Sequence, residues 1–203
     1  MIEIYLFVNP LDEHCLQSEQ RFLDIVKEEK QKNRKICLWF VPILNPSIIQ
    51  HYLVDHDLPV NDLSFRNQLV ETFYSACLDI KAAQLQGKKV GRKFLFHLQE
   101  MVGRQKRHYS KELVEEILEE IRADKSLFNS DRQSHLVNEF FQQDQKIANE
   151  MGVNRFTKAV IFNYGLDQDF GVLIDGLASI DDIKSLIQPN YSLQHISHAE
   201  LFK

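Results

Sequence analysis

Apolar residues in this chain follow two rhythms. From Ile2 to Val8, and again from Ile36 to Val41, they form short, nearly continuous runs of the kind buried strands carry. The first run is halted by Asn9-Pro10 and the second by Pro42. Between them Leu16, Leu23 and Val26 recur at helical spacing, leaving Glu13, Glu19, Lys27 and Glu28 for a wet face. Strand, helix and strand make a βαβ unit, whose right-handed crossover favours parallel pairing.

After Pro42 helical periodicity takes over for about a hundred residues. Phe65, Leu69, Phe73, Ala76, Cys77 and Ile80 form one stripe, and Phe94, Leu95, Leu98, Met101 and Val102 the next. Ser110 is placed to cap a third helix presenting Leu113, Val114, Ile117, Leu118 and Ile121. A fourth helix is predicted from about Asp131 to Met151, with Leu136, Val137, Phe140, Phe141, Ile147 and Ala148 inward and Gly152 as its stop. Strand rhythm returns at Ala159 to Phe162 and Phe170 to Ile174, separated by a polar turn that suits an antiparallel hairpin. Ser179 then caps a last helix through Leu186 and Ile187, closed by Pro189. The predicted order is βαβ, helices, ββα. This is an α/β fold with helices on both faces of one sheet, residues 1–42 and 152–203 forming one domain and residues 43–151 a helical insertion.

A chain of 203 residues, 44% hydrophobic, has enough apolar surface for one core with an insertion and needs no disulfide or metal to hold it. Its net charge of −5, from 29 acids and 24 bases, opposes broad binding to nucleic acid or an anionic membrane. The start, MIEIYLF, lacks the basic leader of an export signal, and no apolar stretch reaches the roughly twenty residues of a bilayer span, so cytosolic residence is expected. Cys15, Cys37 and Cys77 cannot all pair within one chain and do not stand at redox-motif or metal-site spacing, so reduced thiols are expected. Gly87 and Gly91 lack the strand, loop and helix context of a phosphate-binding turn, and no serine elbow or helical zinc motif occurs. His51 and His56, taken with Asp55 or Asp57, do not match a compact zinc signature, so neither a metal site nor a cofactor is expected.

Cys15 is the one thiol in a chemically suggestive place. His14 and the start of the following helix favour its thiolate, whereas Asp12 and Glu13 oppose it. The readings are an inert, partly buried thiol or a redox-sensing one. Cys37 and Cys77 read as small core hydrophobes. Basic residues cluster at Lys88, Lys89, Arg92 and Lys93, and again at Arg104, Lys106, Arg107 and His108, in patterns that suit either plain solvation or an acidic protein partner. The first cluster is the candidate partner-binding patch. Phe65, Phe73, Phe94, Phe96, Phe140 and Phe141 crowd the helical part, where most belong in a core but some suit a peptide-binding groove. The polar tail, residues 188–203, reads as a packed tail or a docking segment.

Three stretches carry a resemblance: EIYLFVNPLDEHC at the amino end, LSFRNQLVETFYSACLDIKAAQLQGKKVGRKFLFHLQE in the middle, and FQQDQKIANEMGV before the late strands. Together they resemble the SpxH (YjbH) family of ClpXP adaptors, a cytosolic branch of the DsbA-like thioredoxin-fold proteins, over nearly the full length. The resemblance implies a thioredoxin-like fold with an inserted helical subdomain. It also implies a non-catalytic adaptor that binds a Spx-like regulator, touches ClpXP indirectly or transiently, and promotes the regulator's degradation. In redox-active relatives the loop after the first strand holds Cys-x-x-Cys; the matching positions here are Asp12, Glu13, His14 and Cys15, so the attacking cysteine is replaced by Asp12. The family's cis-proline position matches Thr157, and because a cis bond before threonine costs roughly 3–4 kcal/mol, a trans connection is expected. The alternative implied is a DsbA-like or FrnE-like oxidoreductase or isomerase using Cys15 alone.

Overall fold

Strand β1 (Ile2–Val8) pairs on one side with β2 (Ile36–Pro42), in parallel, Ile2 lying opposite Ile36 and Val8 opposite Pro42. Helix α1 (His14–Gln31) makes the crossover between them. On its other side β1 pairs antiparallel with β3 (Lys158–Asn163), Leu6 lying opposite Ala159. Antiparallel β4 (Gly171–Asp175) and β5 (Glu200–Phe202) complete a five-stranded sheet of order β2-β1-β3-β4-β5. These features belong to a computed structural model, which describes residues 1–166, 170–188 and 200–202. The hairpin turn at 167–169, Pro189 and most of the tail therefore lie outside the described residues, while 200–202 form the edge strand.

The period-two alternation of the strands sorts their side chains onto two faces. Ile2, Ile4, Leu6 and Val8 share a large core with Ala159, Ile161, Val172 and Ile174, closed by Phe22, Ile25 and Val26 of α1 and by Ile183 and Leu186 of α8 (Ile180–Ile187). Phe7, Val160 and Leu173 face the other way, onto a smaller core with Val41, Ile43, Ile48 and Ala148. Both faces of β1 are covered, which explains why its sequence reads as an almost unbroken apolar run.

Six helices lie between β2 and β3: α2 (Pro46–Asp55), α3 (Leu63–Leu85), α4 (Lys88–Leu98), α5 (Lys111–Glu120), α6 (Lys125–Arg132) and α7 (His135–Glu150). The apolar stripe expected to run from Phe94 to Val102 crosses from α4 into a π-helical turn, Gln99–Arg104. The helix expected from Asp131 to Met151 is two helices, with Asp131 in α6. At the break, Ser134 turns back so that its hydroxyl donates to the Asp131 carbonyl at 2.6 Å. Ser110 and Ser179 cap α5 and α8 as expected, accepting from Leu113 N and Asp182 N.

Polar ties fix the helices against one another and against the sheet. Gln145 of α7 accepts from Leu44 N at 2.8 Å and donates to the Pro42 carbonyl at 3.0 Å, holding the chain where it leaves β2. Gln84 of α3 donates to the Phe40 carbonyl at 3.0 Å. Lys81 of α3 meets Asp144 of α7 at 2.7 Å. Buried Asp79 of α3 receives Arg132 of α6 at 2.6 Å and also the hydroxyl of Tyr109. Burial pushes the Asp79 carboxyl up, and Tyr109 and Arg132 pull it back. No described helix is long and apolar enough to cross a membrane.

Candidate functional site

The chain leaving β1 makes a tight polar loop before α1. Asn9 Oδ1 accepts from Leu11 N at 2.9 Å, and Asp12 Oδ1 accepts from His14 N at 2.9 Å, taking up an amide at the helix start that would otherwise lack a partner. Asp12 is only 4% exposed. Gly103 in the π-helical turn presses on this loop, so that a Cβ there would stand 2.7 Å from Glu13 N. Glycine is required by that close approach, which sets the loop against the helical region.

Cys15 sits below the loop, fully buried. Its Sγ accepts from Thr157 Oγ1 at 3.2 Å and from Asn9 N at 3.5 Å. Burial pushes its thiol well above the ordinary range, and the nearby Glu19 and Asp12 carboxyls push further, outweighing the two hydrogen bonds. Glu19, four residues on along α1, is also fully buried; burial pushes its carboxyl up to about 8, against a hydrogen bond from Gln99. All three cysteines are free, Cys15 and Cys77 buried and Cys37 half-buried. Thr157 does face Cys15, but the expected trans connection is corrected: the Phe156–Thr157 bond is cis. The local preference of the bond, taken alone, predicts trans. Thr157 is held by tertiary contacts, its carbonyl accepting from Gly176 N at 2.9 Å and its hydroxyl meeting Cys15.

A residue from outside the loop completes this corner. His56, which follows the last turn of α2, brings Nε2 to 3.6 Å from Asp12 Oδ2, while His14 Nδ1 lies 2.7 Å from Asp12 Oδ1. Asp12, His14 and His56 are the residues of this corner with the donor types and placement to hold a metal. His51, Asp55 and Asp57, the neighbours of His56 in sequence, are not in this set. The useful signal is an Asp-x-His pair joined to a distant histidine, which spacing along one segment does not reveal.

The basic cluster lies elsewhere, on α4 beside the outer edge of β2. Lys88, Lys89 and Arg92 line a cavity of about 540 Å³ together with Trp39, Phe40 and Phe140, and Lys93 is exposed on the same helix. Lys88 Nζ stands 3.3 Å from the centre of the Trp39 ring, a cation–π contact. Trp39, 39% exposed, is not singled out by the sequence. Its strand run marks it only as a β residue. The second basic cluster is engaged internally: Lys106 with Glu13 at 3.2 Å, Arg107 with both oxygens of Glu116, and Arg104 with Glu100 at 3.5 Å.

Comparison with known proteins agrees with this architecture. The chain is homologous to proteins named ClpXP adapter protein SpxH: that of Bacillus subtilis (strain 168) is 29% identical over 203 residues, covering 92% of this chain and 66% of the relative. That of Bacillus thuringiensis subsp. konkukian is 26% identical over 202 residues, covering 92% and 68%. The chain thus spans about two thirds of the length of these curated relatives. Among solved structures, a putative protein disulfide isomerase from Nitrosomonas europaea superposes with a TM-score of 0.68 at 12% identity, over 92% of this chain and 95% of that one. The cytosolic disulfide reductase DsbM of Pseudomonas aeruginosa gives 0.56 at 15% identity, over 93% of each. These structures share the thioredoxin-like fold with added helices, and since the thioredoxin family matches residues 5–185, the chain belongs to that family.

Proposed function

We propose that this chain is a non-catalytic, cytoplasmic adaptor that binds a Spx-like regulator and promotes its degradation by ClpXP. The observation that carries the reading is the state of the loop before α1: Cys15 is sealed from solvent, and the position matching an attacking cysteine holds the buried Asp12. Thiol exchange needs an exposed thiolate, and a dithiol cycle needs a second sulfur within reach. What remains is a folded scaffold with a surface groove, in a chain homologous to proteins named as ClpXP adapters.

The groove between β2 and α4 is our candidate docking surface. Trp39 and Phe140 supply apolar area, while Lys88, Lys89 and Arg92, with Lys93 nearby, supply attraction for an acidic segment. Calorimetric titration with a purified, matched Spx-like protein tests the reading. Saturable binding is expected, weakened by Lys89→Glu with Arg92→Glu, and weakened more at low salt than at high salt, because exposed charges are screened. Absence of any binding by folded partners contradicts the adaptor reading; unchanged binding by the charge-reversed chain removes only the groove.

A further inference from the structure

We propose that Asp12, His14 and His56 form a binding site for a divalent transition metal, zinc(II) foremost, bridging the loop before α1 to the end of α2. The three candidate ligand atoms lie within 4.8 Å of one another. One carboxylate with two imidazoles is a donor set zinc accepts, leaving a fourth position for water or a partner's side chain. Spacing along the sequence gives no expectation of this site, because its third member lies forty-two positions beyond His14.

Two independent features point to a ligand here. His56 Nε2 is buried without a hydrogen-bond partner among the described residues, and a buried polar atom left unpaired is costly unless a water or ion meets it. Asp12, with more than nine-tenths of its surface buried, sits between the two imidazoles and already turns one oxygen toward each. The His56 ring packs against Tyr52 at 4.2 Å between centres, which fixes its position beside Asp12.

The geometry needs little adjustment. Ligands about 2.0–2.1 Å from a tetrahedral metal stand roughly 3.3 Å from one another. The Asp12–His56 separation of 3.6 Å is close to that, and the Asp12–His14 separation of 2.7 Å has to open slightly. His14 is 68% exposed and free to swing, whereas Asp12 and His56 are held by the loop and by Tyr52. The metal's open position would therefore face solvent on the His14 side.

The test is calorimetric titration of zinc(II) into the chelator-stripped full chain, with competition by a chromophoric chelator and with cobalt(II) absorption to report coordination. One equivalent is expected to bind, with the intense visible bands of tetrahedral cobalt(II). His14→Ala and His56→Gln should each weaken binding by at least about tenfold, while His51→Ala leaves it unchanged. Circular dichroism verifies folding of each variant; if His56→Gln fails to fold, exposed His14 carries the comparison alone. No binding by the folded wild-type chain overturns the site, as does one-equivalent binding that survives loss of His14.

Discussion

The family resemblance matches Cys15 to a redox-motif position, and its surroundings hold it protonated. Its burial and the Glu19 and Asp12 carboxyls act together, and the donors from Thr157 and Asn9 only partly offset them. Iodoacetamide should therefore label native Cys37 first and reach Cys15 only as the chain opens, a difference readable by peptide mass spectrometry; prompt labelling of Cys15 contradicts its sealed state. Cys15→Ser should change partner affinity by less than about 1 kcal/mol, the scale of one net hydrogen bond. A hundredfold loss in a folded variant would instead make the thiol essential. Glu19 beside it gives the fold a pH dependence of definite sign. Its carboxyl, pushed up to about 8 by burial, keeps a proton that the unfolded chain releases near the ordinary glutamate value of about 4.3. The native state binds more protons across that window, so stability falls as pH rises through it and levels off above about 8. Glu19→Gln should flatten this slope and gain on the order of a few kcal/mol at pH 8 relative to pH 5. Urea titrations at the two pH values check it, and an unchanged slope would show that Glu19 is not its source.

At the scale of elements, the strands and the longest helices are legible because their apolar periods are long or their stops are strong: Pro42 ends β2, Gly152 follows α7, and Ser110 and Ser179 cap as their side chains allow. What escapes is decided by local polar chemistry or distant packing. Helix α2 has no apolar stripe long enough to stand out, although Asn45-Pro46 announces it, with Asn45 Oδ1 accepting from Ile48 N at 2.8 Å and Pro46 in the first turn. The break between α6 and α7 falls just before the apolar stripe that begins at Leu136, and the Ser134 turn that makes it has no apolar signature. The junction of α3 and α6 rests on Asp79, buried between Tyr109 and Arg132. Arg132→Ala leaves that carboxyl without its cation and should cost on the order of 3 kcal/mol. Chemical denaturation measures this, and a loss near zero would mean that apolar packing alone holds the two helices together.

At the scale of the whole molecule, the candidate site is half legible. The family resemblance points to the loop from Asp12 to Cys15 and to Thr157 opposite it, because it matches those positions to the relatives' redox motif and cis-proline. It does not show His56 arriving beside Asp12, nor Trp39 beneath Lys88, since both depend on elements brought together only by folding. In the adaptor proposal, a thioredoxin-family scaffold with a sealed Cys15 uses the groove beside Trp39 to capture a partner rather than to oxidise it. The most direct measurement is ClpXP degradation of a matched Spx-like substrate, with and without the purified chain, alongside an unrelated tagged substrate. Faster loss of the Spx-like protein and an unchanged rate for the unrelated one are expected, because presenting one partner does not activate the protease in general. No acceleration with folded, matched components, or equal acceleration of both substrates, would contradict the proposal.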